Sequence, residues 1–244
     1  MLKQLMSALG VQGATIDTRI FDSNTQGGAW LEGEIRVEAG ESDQVINQIA
    51  LQLKTIAEVE AGDHEFSQPL VLQTWPVTTG FRLAARQRFA IPFRIQLPYE
   101  TPVTQVACRR NSARVWLHTH LDVDWGVDAR DRDELRVHPT PVMQAFFQAM
   151  QHCGLVLGSV DVERGQLRAP GFCSTLGCYQ EFEFVPQAFG RLNEVEVSFV
   201  PEAHCTHVML ELDRKFRGDQ LRAFTLPNTQ TDVAALVQQL RQWL

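Results

Sequence analysis

The chain has 244 residues, 44% of them hydrophobic and 21% charged, a composition that excludes a disordered or fibrous protein and leaves a globular one of one large or two ordinary domains. Its 22 basic and 29 acidic side chains give a net charge of −7. They divide as 14 basic and 18 acidic in residues 1–138 and 8 and 11 in the rest, so neither part attracts phosphate backbones or anionic lipid in general.

No apolar run approaches the roughly 20 residues that span a bilayer, and Cys153 to Val160 is broken by glycines. Met1-Leu2-Lys3-Gln4-Leu5 opens without the long apolar segment and small-residue cleavage site of a secretory signal. These features predict a cytoplasmic protein. In that compartment five cysteines, an odd number, are not expected to form a disulfide framework. Arg82, Arg86 and Arg88, and Arg109, Arg110 and Arg114, are local basic groups offset by acids and read as solvated strand and loop positions.

In chain order, period two dominates. Leu31, Gly33, Ile35 and Val37 alternate with Trp30, Glu32, Glu34 and Arg36, and Ile49, Leu51 and Leu53 alternate with Ala50, Gln52 and Lys54. Phe89, Ile91, Phe93, Ile95 and Leu97 form the clearest case, and Val115, Leu117, Thr119 and Leu121 another. Each pattern buries one face of a strand and wets the other. Pro92 has no N–H to donate, which places its strand at a sheet edge or a bulge. His138-Pro139-Thr140-Pro141 is a stiff extended connector.

A helix over Val142–His152 follows, with Thr140 as cap, Pro141 at its first position, and Val142, Phe146, Ala149 and Met150 on one face. Strands resume at Leu155–Val162, Tyr179–Val185, Val195–Val200 and His207–Leu212. A last helix fits Thr231–Trp243, capped by Thr231 and striped by Val233, Leu236, Val237, Leu240 and Leu244. The whole reads as all-β: an antiparallel β-sandwich over 1–138 and a second over 139–244, with helices near 141–153 and 231–243. The first block lacks the helices that βαβ units would require.

Three ordered stretches carry a family likeness. They are Phe93-Arg94-Ile95-Gln96-Leu97-Pro98-Tyr99-Glu100-Thr101-Pro102; Val115-Trp116-Leu117-His118-Thr119-His120-Leu121-Asp122-Val123 with Val127–Asp133 and Val137-His138-Pro139; and Glu181-Phe182-Glu183-Phe184-Val185-Pro186 with Leu210–Gly218. Together with the opening Leu2–Gly10 and Ile16-Asp17-Thr18, they resemble the bacterial sporulation-control family, the SpoOM proteins. The resemblance implies two arrestin-like sandwiches and a regulatory protein that acts through protein contacts, with cell-cycle or cytoskeletal partners. It implies no catalytic residues. The sequence departs from the family pattern at His120, where glycine or another small residue is expected, which would touch only a local turn.

There is no Gly-Lys-Ser/Thr phosphate loop, no Gly-x-Ser-x-Gly elbow and no His-Glu-x-x-His. Cys173, Cys178, His204, Cys205 and His207 are zinc-type donors in an irregular spacing. Asp122-Val123-Asp124 begins an oxygen-rich stretch that continues through Asp128, Asp131, Asp133 and Glu134, but Val127 occupies the position where a calcium loop needs glycine. It reads instead as a polar loop in which Asp122 and Asp128 accept from backbone amides and face nearby arginines. Its position beside the linker also suggests a hinge or inter-domain contact.

His118 and His120 share one side of a strand without a third ligand in reach. The expectation is a non-enzymatic regulatory scaffold with no cofactor, metal or nucleic-acid partner. It would bind proteins, or a second copy of itself, through the Phe89–Leu97 edge, with Trp30, Trp75 or Trp125 as anchors. The alternative is a metal-binding protein or metal-dependent enzyme built on the Cys/His residues.

Overall fold

In the computed structural model, residues 13–61, 64–188, 192–214, 218 and 220–244 are described. The likeness-bearing segments Leu2–Gly10 and Lys215-Phe216-Arg217, and the opening Met1–Leu5, lie outside them.

The described chain is mostly strand, with two helices. The strands are β1 (Thr15–Ile20), β2 (Asn24–Thr25), β3 (Trp30–Glu38), β4 (Gln44–Ala61), β5 (His64–Leu83), β6 (Arg88–Gln96), β7 (Arg110–Asn111), β8 (Val115–Val123), β9 (Ala129–Glu134) and β10 (Arg136–Val137). After helix α1 (Pro141–His152) come β11 (Leu155–Arg164), β12 (Arg168–Ala169), β13 (Phe172–Cys173), β14 (Cys178–Pro186), β15 (Leu192–Pro201), β16 (Cys205–Arg214), β17 (Gln220–Pro227) and helix α2 (Val233–Leu240).

A three-stranded sheet, β1-β3-β6, faces the end of a larger sheet made by β5, β4, β8 and β9. The period-two residues meet between these layers: Leu31, Ile35, Val37, Phe93 and Ile95 from one side, Ile49, Leu51, Leu53, Leu117 and Leu121 from the other. Gly33 sits in β3 because a Cβ there would meet the Arg19 carbonyl oxygen at 2.5 Å and the Phe93 ring at 2.6 Å. The larger sheet continues from β4 through β11, β14, β15 and β16 to β17, and β4 meets β11 at one residue pair, Glu58 opposite Glu163.

A second core lies under that continuation. Phe146 and Phe147 of α1 pack against Phe182, Phe184 and Phe199, and Leu236 and Leu240 of α2 close the same cluster. Burying one such aromatic ring stabilises the fold by about 1.5–3 kcal/mol. The first 138 residues also enter this core through Ala57, Val103, Ala113, Leu70 and Leu72, and Leu72 packs against both cores. The buried amide of Gln180 accepts from Val103 N at 2.8 Å and donates to Val103 O at 2.7 Å, which binds the chain before β7 to β14.

Several expectations shift in detail. The helix stripe Val142, Phe146, Ala149 and Met150 is buried, but Thr140 makes no side-chain cap bond, so the Pro141 start carries that terminus. The last helix is shorter than expected, and its cap is Asp232 rather than Thr231: the Asp232 carboxylate accepts from Ala234 N and Ala235 N. Carboxylates at this position also meet the positive end of the helix dipole. His120 lies in mid-strand, opposite Ala50 and Arg130, rather than in a turn.

Candidate functional site

β6 pairs only with β3 among the described residues, so its other edge is open. Leu97 N donates to Ala29 O, and Ala39 N donates to Gln87 O; with the register Trp30 opposite Gln96, these bonds assign the odd-numbered residues of β6 to the β3 ladder. The backbone groups of Arg88, Ala90, Arg94 and Gln96 therefore point away from β3. Pro92 falls on the same outward set, where its missing N–H costs no ladder bond.

Beside this edge lies β5, which among the described residues pairs only with β4. A groove of about 430 Å³ runs between the two, lined by Trp30, Trp75, Arg94 and Tyr99 among others. Trp30 is 53% exposed, and the Arg94 guanidinium covers it at 4.3 Å from the ring centre. The Tyr99 ring packs directly on Gly28 (φ +78), where a Cβ would come within 2.4 Å of it. Farther along, Phe81 of β5 meets Phe89 of β6 edge to face at 5.7 Å. Trp125, by contrast, stands 97% exposed at the tip of the β8–β9 hairpin.

The predicted Cys/His group is only partly assembled. Cys205 and His207 come together, and with them Glu202, which the sequence reading missed. His207 Nε2 lies 3.4 Å from a Glu202 carboxylate oxygen and 3.9 Å from Cys205 Sγ, and Cys205 Sγ is 3.8 Å from the other Glu202 oxygen. Burial and the neighbouring Glu202 carboxylate hold the Cys205 thiol above its ordinary range. Cys173, Cys178 and His204 are outside this cluster. Cys178 is buried in the second core, and its thiol is pushed up to about 12 by burial. His204 is exposed in the turn, and Cys173 Sγ sits against Ser174 O. All five cysteines are free thiols.

The acidic stretch 122–134 makes no three-ligand cluster with another residue described. Asp128 accepts from Val123 N at 3.3 Å and faces His120 and Arg130. Asp122, expected on a backbone amide, accepts from the Asn47 side chain instead. Asp131 accepts from Thr18 N at 2.6 Å and so ties β1 to β9. Burial, with Asp131 and Asp17 nearby, raises the Asp133 carboxyl to about 6. Burial and Lys54 lower His118, which joins no metal-type cluster.

A second feature absent from the sequence reading is a carboxylate cluster on the face of the larger sheet turned away from the second core. Asp161, Glu163 and Glu181 bring carboxylate oxygens within 4.8 Å of one another. Asp161 is 7% exposed, and its Oδ1 has no hydrogen-bond partner. Burial first, then Glu183, Glu163 and Glu58, raise its carboxyl to about 7 against a smaller pull from Arg110. Glu181 rises to about 8 through burial and then Glu196, Asp161, Glu163 and Glu211. The neighbouring Glu183 accepts a bond from Ser159 Oγ.

With this geometry in view, comparison with known proteins is decisive about kinship. The family model for the SpoOM protein matches residues 2–216. The chain belongs to the SpoOM family. It is 30% identical over 219 residues to the sporulation-control protein spo0M of Bacillus subtilis (strain 168), an alignment covering 88% of this chain and 81% of that one. The crystal structure of Spo0M from Bacillus subtilis superposes with a TM-score of 0.84 at 25% identity, over 95% of this chain and 98% of that one. Membership in a sporulation-control family supports a regulatory role. No helix among the described residues is long and apolar enough to cross a membrane.

Proposed function

We propose that this SpoOM protein is a non-enzymatic cytoplasmic scaffold whose regulatory role is exerted by protein contacts along the open edge of β6. The observation that carries this reading is the outward backbone of β6 beside a groove lined with aromatic side chains. An extended segment of a partner can add to such an edge, with backbone bonds supplying affinity and alternate side chains entering the groove for specificity. Pro92 divides the edge into Arg88–Ala90 and Arg94–Gln96, so the bound segment is short or bulged. Trp30, Trp75 and Tyr99 favour a segment with apolar anchors, while Arg94 favours an acidic one. Cell-cycle and cytoskeletal proteins, or a second copy of this chain, are the partners in view. Five free thiols suit a reducing compartment.

The test uses the tolerance that Pro92 demonstrates. Ala90→Pro and Gln96→Pro each remove one outward N–H and leave the β3 ladder intact. Cross-linked capture of partners from the native host should fall severalfold with either variant while melting temperature stays unchanged. A control protein of equal charge sets the background, and sedimentation reads self-association in the same variants. Undiminished capture by both folded variants would remove β6 as the contact.

A further inference from the structure

Glu202, Cys205 and His207 belong to one hairpin, the turn that joins β15 to β16. Glu202 N donates to Cys205 O at 2.8 Å and closes that turn. Asn228 then clamps it from outside: its backbone N donates to His204 O, its side-chain amide donates to Glu202 O, and its side-chain oxygen accepts from Thr206 Oγ1. These bonds fix the backbone of the turn that carries Glu202 and Cys205.

The imidazole is held separately. His207 Nδ1 lies 2.7 Å from Thr225 Oγ1 on β17, and the Phe172 ring stacks on it at 4.7 Å with an 8° tilt. When Nδ1–H donates to the Thr225 hydroxyl, Nε2 presents its lone pair toward Cys205 and Glu202. An oxygen partner on the far imidazole nitrogen is the support that metal-bound histidines have.

We infer that Glu202, Cys205 and His207 form a three-ligand site for a zinc-type divalent cation, with a fourth position left for water or an added donor. Zinc takes thiolate sulfur at about 2.3 Å and imidazole nitrogen or carboxylate oxygen at about 2.0–2.2 Å in a tetrahedron, which sets the donors about 3.3–3.6 Å apart. His207 Nε2 lies 3.9 Å from Cys205 Sγ, while its 3.4 Å approach and the 3.8 Å sulfur approach to Glu202 use different carboxylate oxygens. One oxygen per residue keeps all three donors within 4.8 Å, so closing on an ion calls for a turn of the exposed Glu202 side chain. Binding exchanges the Cys205 S–H proton for a sulfur–metal bond, and the proton leaves to solvent. This site shares no residue with β6.

The test uses full-length protein, reduced and freed of metal by chelation, titrated with Co2+ and then with Zn2+. One equivalent of Co2+ should bind and produce tetrahedral visible bands together with a thiolate-to-cobalt band in the near ultraviolet. Zn2+ should then displace it. Cys205→Ser should abolish the near-ultraviolet band, and Thr225→Val should weaken binding about 10–100-fold without changing the stoichiometry. Glu202→Gln gives a second ligand probe, with circular dichroism as the check that each variant is folded. A near-ultraviolet band that persists in Cys205→Ser, or no stoichiometric binding by folded wild-type protein, would overturn the assignment.

Discussion

Two sheet faces of this protein carry rows of carboxylates, and their strand registers treat them in opposite ways. On the β3–β6 face, Glu38 lies opposite Arg88 and Glu32 opposite Arg94, and both pairs are ion pairs. On the β11–β14–β15–β16 face, acid lies opposite acid: Asp161 against Glu181, Glu183 against Glu196, and Glu196 against Glu211. Opposite charges across strands contribute roughly 0.2–1 kcal/mol, and like charges cost a similar amount. The first face is therefore weakly stabilised in a manner sensitive to salt. On the second, burial first and the facing acids next raise the Asp161 and Glu181 carboxyls, so protonation is favoured there.

The largest expected effect is on the acidic face. Because both carboxyls lie above their ordinary values in the folded chain, the folded state keeps protons that the unfolded state releases near pH 4. The associated stability is present at low pH and is lost as pH rises toward 7–8. Scanning calorimetry should find the protein less stable at pH 8 than at pH 5.5 by about 1–2 kcal/mol from this source, a value reduced for screening of the half-buried Glu181. Asp161→Asn with Glu181→Gln should flatten that dependence and raise the melting temperature at pH 8. An unchanged pH profile would mean that these two carboxyls are not held above their ordinary range in the folded chain.

Arg94→Glu comes next. It sets like charge against Glu32 and removes the cation over Trp30, so urea unfolding at low salt should show a loss of about 1 kcal/mol that shrinks in high salt. Glu211→Arg makes the converse change, replacing the like charge across the ladder from Glu196 by an opposite one, and should stabilise by about 0.5 kcal/mol in the same assay. Arg88→Gln is the smallest: its ion pair with Glu38 is exposed, and the urea midpoint should barely move.

Much of the fold was legible in the sequence because alternation marks a strand with one wet face. β3, β6, β8 and β14 carry that pattern cleanly. β5 does not: it contains Pro69 and Pro76, and its edge position tolerates them, so neither periodicity nor composition marks a strand of 20 residues. β9 was also obscured, since Ala-Arg-Asp-Arg-Asp-Glu has no apolar row to bury.

The clusters were harder. Glu181 and Glu183 alternate with Phe182 and Phe184 as any solvated face would, and only the pairing of distant strands makes them neighbours of Asp161 and Glu196. Glu202 escaped because a carboxylate, common on any solvated turn, does not mark a zinc-type site as cysteine and histidine do. The spacing Glu202-x-x-Cys205-x-His207, read as one hairpin turn, was the available signal.

The shared side chain of Leu72 bears on how the molecule comes apart. The β4–β5 hairpin is one continuous ribbon, made early in the chain, whose far end supplies Ala57, Leu70 and Leu72 to a core otherwise built from Val103 onward. A polypeptide ended at the Pro139–Pro141 connector would leave that end of the ribbon wet and apolar, inviting aggregation. Melting of the intact chain should accordingly be a single cooperative event, because neither core can dissolve without stripping the other's wall.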